Sequence, residues 1–206
     1  MAEAALAALR RLAAEHEGLS CLVSDALGRD GAMRSDIRPM WSGARCLGPA
    51  VTARPHGRDL SAVFRAIELT RPGDVIMIEG SGAGACSYWG ENASLLALRR
   101  DAAGTVIGAP CRDVAAHARL GYPVFAVGAT AAGGVFGERG AVQVPVAVGG
   151  LVVLPGDVVV GDENGVVVVP SARLDDVVGA LPELLVRERE VQADIAAGHG
   201  LTRRRP

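Results

Sequence analysis

Two hydrophobic rhythms alternate along this chain. Leu6, Leu9 and Leu12 fall on one stripe and predict a helix over 2–16. Ser24-Asp25 reads as a cap for a short helix beginning near Ala26. Residues 45–56 (RCLGPAVTARPH) predict a strand interrupted at Gly48-Pro49, and residues 59–70 a helix with Leu60, Val63, Phe64, Ile67 and Leu69 apolar. The turn Pro72-Gly73-Asp74 feeds a strand Val75–Ile78, a glycine-rich loop Gly80–Ala85 and a helix over 90–100. A strand Thr105–Ile107 follows, then a helix Asp113–Leu120 stopped by Gly121, then a strand Pro123–Val127. From residue 141 the pattern changes to consecutive strands, with turns at Pro155-Gly156-Asp157 and Glu163-Asn164-Gly165. An amphipathic helix over 171–196, with Pro182 as a point of interruption, closes the chain. Alternation first and a strand cluster afterwards predict a mixed, layered α/β domain across 1–206 with no linker.

Composition narrows the chemistry. The chain has 206 residues, 50% of them apolar and only 3% aromatic, so its core is built from Val, Leu, Ile and Ala. A net charge of −2 without a long basic run argues against nucleic-acid binding; Arg203-Arg204-Arg205 reads as a solvated tail. All the basic residues counted as Lys or Arg are Arg. Without Lys there is no Schiff-base aldolase, no pyridoxal-phosphate linkage and no Walker-A lysine. Carbonyl chemistry must then use a metal, an arginine or backbone dipoles as its electron sink. Cys21, Cys46, Cys86 and Cys111 have no C-x-x-C spacing and read as reduced, buried thiols. The first residues lack a signal core, and no apolar run approaches bilayer length, so a cytoplasmic location is expected with no membrane partner.

Two places could carry chemistry. Glu79 ends the strand Val75–Ile78 and reads as a solvated strand end. The loop Gly80-Ser81-Gly82-Ala83-Gly84-Ala85 and the helix start Gly90-Glu91-Asn92 after it suit an anion, although a flexible surface loop has the same composition. The loop lacks G-x-G-x-x-G spacing, so it is no dinucleotide fingerprint. The second place is Cys111-Arg112-Asp113, at a strand-to-helix junction where α/β ligands bind. From spacing alone this pair reads as an N-cap Asp beside a surface Arg.

In order, the segments LSCLVSDAL, RCLGPAVTA, ELTRPGDVIMIEG, YWGENASLLA, CRDVAAHARLGYPVFAVG and PGDVVVGDENGVVVVP resemble the RraA-like family from about Leu19 to Leu201. That family contains class II 4-hydroxy-4-methyl-2-oxoglutarate / 4-carboxy-4-hydroxy-2-oxoadipate aldolases and regulators of ribonuclease E. The resemblance implies a layered swivelling β/β/α domain. The helices over 2–16 and 171–196 would pack on it or on a neighbouring subunit, in a homotrimer or a dimer of trimers. It also implies a divalent-metal-dependent lyase that cleaves a 4-hydroxy-2-oxo diacid to pyruvate, with oxaloacetate decarboxylation through the same enolate.

The family signature, a Gly followed at fixed distance by Arg-Asp, matches Gly90 and Arg112-Asp113. By resemblance Asp113 holds Mg²⁺ or Mn²⁺ directly and Glu91 holds it through water. Arg112 binds the pyruvyl group, and the backbone from Gly90 through Asn92, Ala93 and Ser94 receives the substrate carboxylate. Glu188 or Glu190 would reach a neighbour's site. The chain departs from the family at Ala116, where an acid is usual, and at Gly108-Ala109. His117, one turn after Asp113, could take over metal or proton duty, but its spacing favours an exposed helix histidine. The lost acid keeps open a protein-binding regulator of the ribonuclease E type, or a specialised lyase with another substrate.

Overall fold

Val- and Ile-rich strands alternate with helices through the first part of the chain, as the hydrophobic pattern requires. The computed structural model describes residues 2–80 and 86–200. In chain order come α1 (Ala2–Glu15), α2 (Leu19–Ala26), β1 (Arg38–Pro39), β2 (Cys46–Arg54), α3 (Ser61–Leu69) and β3 (Val75–Ile78). Then follow α4 (Glu91–Leu98), β4 (Gly104–Ile107), α5 (Val114–Leu120) and β5 (Val124–Ala126). The strand cluster is β6 (Ala141–Val142), β7 (Val146–Val148), β8 (Leu151–Val153), β9 (Val158–Asp162) and β10 (Gly165–Val169). A 3-10 turn Ser171–Arg173 leads into α6 (Leu174–Ala196).

Among the described residues an eight-stranded sheet runs β1-β5-β4-β3-β2-β9-β10, with β6 on the far end of β2; β7 and β8 form a separate hairpin. Strands β2 to β5 are parallel, whereas β1, β9 and β10 are antiparallel to their neighbours. The segment after α2 nearly closes the sheet. It lies along β10, with Met33 N–H donating to Val166 O at 2.8 Å, and then enters β1 beside β5.

Side-chain alternation sets the layers, because successive strand residues face opposite ways. Ile76 and Ile78 meet α3 and α4, while Val75 and Met77 point into the closed side with Val106, Phe125 and Val159. In β9 and β10, Val158, Val160, Val167 and Val169 face outward onto Leu9, Val23, Leu174 and Leu181 of α1, α2 and α6. Aliphatic side chains dominate the cores and alone fill the one under α1, α2 and α6, but the few aromatics are buried too: Tyr88, Trp89 and Tyr122 lie under α3 and α4, and Phe125 in the closed side.

Three expectations about elements need correction. The residues Ser24-Asp25 end α2 rather than starting a helix. Leu19, Val23 and Leu27 form the buried stripe, and Gly28 at φ +80° turns the chain out of the helix. Gly48-Pro49 does not interrupt β2, because Pro49 is the last residue paired to β9 just where the pairing with β3 begins. Gly48 is fixed by contact, since a Cβ there would stand 1.8 Å from Gly73 O. Pro182 does not break α6. It lies on the solvent side, and burial of Leu174, Val177 and Leu181 outweighs one missing backbone bond.

Other placements follow the sequence more closely. All four cysteines are free; Cys46, Cys86 and Cys111 are buried as expected, but Cys21 is exposed. Glu79 is not a solvated strand end, because its Oε2 accepts the Ala147 N–H at 2.9 Å and ties β7 to the end of β3. Loop residues 81–85 and the arginines at 203–205 lie outside the described residues.

Candidate active site

Parallel strands end at one edge, so the loops after β2, β3, β4 and β5 gather there, where open α/β sheets bind ligands. The β4–α5 loop delivers Arg112 and Asp113. The segment before α4 delivers Gly90 and Glu91.

Asp113 is the residue preceding α5, but its side chain does not cap that helix. It stands in the left-handed region at φ +54°, which Asp tolerates better than most residues. Its Oδ2 instead accepts the Glu91 N–H across 22 residues at 2.9 Å, and Arg112 Nε stands 3.4 Å from the same oxygen. Asp113 thus stands at the expected N-cap position beside an exposed Arg112 but does not cap, and the signature is a tertiary contact. The Arg112 N–H donates to Trp89 O at 2.9 Å, which locks the two segments together.

Gly90 is small for a physical reason. A Cβ there would stand 2.6 Å from Asp113 Oδ2 and 2.9 Å from Arg112 Nε. Its backbone is extended at φ −150°, so alanine brings no backbone strain. Gly90→Ala should therefore keep the fold while pushing the carboxylate and guanidinium out of place, lowering turnover about a hundredfold. Steady-state kinetics beside a thermal melt measures this; unchanged kcat with an unchanged melt would contradict it.

Glu91 is held from its other side. Arg119 Nη2 donates to Glu91 Oε1 at 2.6 Å, an ion pair that only the folding of α5 against α4 brings together. Sequence reading missed Arg119, because nothing local links residues 91 and 119. Within the first turn of α4, Asn92 is exposed and Ala93 is buried. The Ser94 N–H is already used by Gly90 O at 3.1 Å, so Ser94 is not free to receive a substrate carboxylate as expected. Its hydroxyl is fully buried, accepts from Trp89 Nε1 at 2.8 Å and lies 3.1 Å from His117 Nδ1.

His117 is the largest departure from expectation. It is buried, not exposed, because α5 packs that face under the Trp89–Ser94 segment. Its Nε2 has no hydrogen-bond partner among the described residues. Burial pushes the imidazole below its ordinary pKa, against the opposing pull of the Arg112 carbonyl and the Asp113 and Glu91 charges. A histidine depressed in the folded state binds protons better when unfolded, so it destabilises the fold as pH falls below the unfolded value near 6.5. The thermal midpoint should drop between pH 7 and pH 5, and drop less in His117→Leu; equal drops would refute this. Cys111 is also buried, and burial pushes its thiol up to about 11, which leaves it a poor nucleophile at neutral pH.

Glu188 and Glu190 lie on the second half of α6, in the layer formed with α1 and α2.

Residues 20–168 match the RraA-like family, described as Aldolase/RraA. A Halalkalibacterium halodurans protein named "Putative 4-hydroxy-4-methyl-2-oxoglutarate aldolase" is 33% identical over 172 residues, covering 84% of this chain and 79% of that protein. The chain belongs to the RraA-like family. Legionella pneumophila DlpA is 32% identical over 189 residues, 88% of this chain; this RraA-like chain spans only 30% of DlpA. Streptomyces coelicolor RraAS2, described as an unusual member of the RNase ES inhibitor RraA protein family, superposes with a TM-score of 0.73 at 27% identity, covering 84% of this chain and 90% of that one. The layered α/β architecture expected for an RraA-like protein is the one found. Among the described residues no helix is long and apolar enough to cross a membrane.

Proposed function

We propose that this RraA-like chain is a carbon–carbon lyase that releases pyruvate from a 4-hydroxy-2-oxo diacid. The observation that carries the reading is the convergence of Gly90, Glu91, Arg112 and Asp113 at the carboxyl edge of the parallel strands. Cleavage breaks the bond between carbons 3 and 4 of the substrate. The 4-hydroxyl loses its proton as a carbonyl product departs, and the electron pair moves onto the 2-oxo oxygen as an enolate. Protonation at carbon 3 then gives pyruvate. Arg112 would place a planar, permanently charged donor against that oxygen as its charge grows. Oxaloacetate decarboxylation would pass through the same enolate.

The donor set fits a divalent cation that keeps most of its waters. Among the described residues no cluster of three His, Cys, Asp or Glu side chains forms a protein cage. A single direct carboxylate with a second one behind a water is what Mg²⁺ accepts, and Mn²⁺ takes similar ligands. Asp113 would hold the ion directly and Glu91 through water, with Arg119 keeping the Glu91 carboxylate in position. When bound, the ion supplies Lewis-acid polarisation of the 2-oxo group.

The assembly proposed is a homotrimer or a dimer of trimers. On α4, Leu95, Leu96 and Leu98 are 42%, 41% and 37% exposed, an apolar face beside the site that a second copy would cover. The mostly exposed second half of α6 would then carry Glu188 or Glu190 to a neighbour. Sedimentation at micromolar concentration should show a trimer or larger; a stable monomer would rule out a shared site.

A regulator that binds another protein is the competing reading, favoured by Ala116, where the usual acid is absent, and by the likeness to RraAS2. A pyruvate-release assay on 4-hydroxy-2-oxo diacids and oxaloacetate, with Mg²⁺ or Mn²⁺ and with a chelator, separates the two. The lyase releases pyruvate only with metal; no release from any of these substrates favours the regulator.

A further inference from the structure

The loop after β2 and the loop after β5 run side by side next to Arg112. The Leu60 N–H donates to Val135 O at 2.8 Å, and the Val135 N–H donates to Arg58 O at 2.9 Å. The Ser87 N–H donates to Ala132 O at 2.8 Å, which pins the same stretch to the segment leading into α4. Gly133 therefore sits in a fixed backbone. Two guanidinium groups meet on it. Arg58 Nη2 donates to Gly133 O at 2.6 Å, and a Cβ built on Gly133 would stand 3.0 Å from Arg112 Nη1. Adding the width of one peptide unit puts the two terminal nitrogens within about 9 Å of each other.

Arg58 is an exposed cation that the protein does not neutralise. Among the described residues no carboxylate lies within ion-pair distance of it. The adjacent Asp59 is buried and already committed, accepting the Ser61 and Arg139 N–H groups at 2.9 Å each. The Ser61 hydroxyl first, and then these backbone donors, hold Asp59 well below the usual carboxylate range, so it stays an anion without spending its charge on Arg58. Among the described residues Gly133 O takes one of the five guanidinium donors of Arg58 and no other acceptor is seen, which leaves its fork available for a second acceptor. The backbone bonds around Gly133 hold the loop without help from Arg58.

We infer that Arg58 receives the distal carboxylate of the substrate whose 2-oxo end lies on Arg112, which makes the site selective for short-chain 2-oxo dicarboxylic acids over 2-oxo monocarboxylic acids. This rests on the lyase reading for the role of Arg112. A bidentate guanidinium–carboxylate contact is specific in geometry as well as charge. Gly133 is the hinge of the arrangement: its missing side chain leaves room for the Arg112 fork, and its carbonyl aims Arg58.

The test uses Arg58→Gln, which retains an amide donor for Gly133 O and removes the charge. Calorimetric titration with 2-oxoglutarate and with 2-oxobutyrate, both in Mg²⁺, compares a diacid with a monoacid without requiring turnover. Wild type should bind the diacid at least about tenfold more tightly, and Arg58→Gln should erase most of that ratio. In kinetics on a 4-hydroxy-2-oxo diacid and its monoacid counterpart, the variant should lower the diacid-to-monoacid ratio of kcat/KM about tenfold, through KM rather than kcat. A purely structural Arg58 would move the thermal midpoint and leave both ratios alone. Equal ratios in wild type and variant, or a wild type without diacid preference, would overturn the inference. An Arg58-dependent diacid preference in a protein that releases no pyruvate would leave the inference standing and sink the lyase reading.

Discussion

Asp113→Asn should abolish metal-dependent turnover while leaving the fold in place. The substitution is nearly isosteric, and Asn tolerates the left-handed backbone that residue 113 adopts at φ +54°. The amide oxygen can still accept the Glu91 N–H, so the join between α4 and the β4–α5 loop survives. The carboxylate is 39% exposed, which limits the energetic consequence of losing its charge. Stability should change by no more than about 0.5 kcal/mol, the usual range for a surface change away from a cap or a core. The chemistry is another matter. The side chain would lose the full negative charge that the proposed divalent cation needs from Asp113 as its one direct ligand, and with it most of the rate enhancement. Asp113→Ala is the harsher variant, because alanine both leaves the Glu91 N–H without its partner and adds about 1–2 kcal/mol of left-handed strain. Comparing the two in urea unfolding and in a turnover assay separates chemistry from folding. Full activity in Asp113→Asn with Mg²⁺ would mean that the metal assignment is wrong.

Arg112→Lys should lower kcat by about a hundredfold or more, with a smaller rise in KM. The Arg112 backbone N–H bond to Trp89 O does not depend on the side chain, and the side chain is 47% exposed, so the substitution is tolerated structurally. Lysine keeps the charge but concentrates it at one flexible point, whereas the guanidinium presents a planar fork. On the proposed mechanism the contact with the 2-oxo oxygen would strengthen as the enolate forms, so its loss would fall on the transition state more than on the bound substrate. Loss of one preorganised donor of this kind costs on the order of a hundredfold. Equal kcat in wild type and Arg112→Lys would remove the role given to Arg112.

Strand positions were readable in the sequence as short unbroken Val- and Ile-rich runs alternating with helical stretches, but the faces were not, because both sides of β3, β4 and β9 are buried and the runs show no alternation. The placement of β3, β4 and β5 between helices follows from that rhythm and from the turns at Gly73 and Gly121. The boundary at Ser24-Asp25 was not readable, since its meaning depended on whether Leu19 and Val23 or the residues after Ala26 would be buried. In the site, the Gly90 and Arg112-Asp113 pairing was visible as a spacing, but its physical content is a contact across 22 residues that the sequence cannot express. His117 misled for the same reason. A helix position four residues from an exposed carboxylate looks exposed until α5 is packed beneath Trp89 and Ser94. Arg119 and Arg58 left no local signal at all; one finds Glu91 and the other finds Gly133 only through the packing of separate loops.

On the lyase reading proposed above, this edge of the sheet would stabilise the enolate of pyruvate. Exchange of the methyl protons of pyruvate in deuterium oxide, followed by proton NMR, measures that directly and needs no knowledge of the natural substrate. A lyase that forms pyruvate through its enolate must also form that enolate from pyruvate. The wild-type protein should exchange these protons far faster than buffer with Mg²⁺ or Mn²⁺, and the exchange should disappear with a chelator and in Asp113→Asn. Exchange at the buffer rate in the presence of either metal would contradict the account.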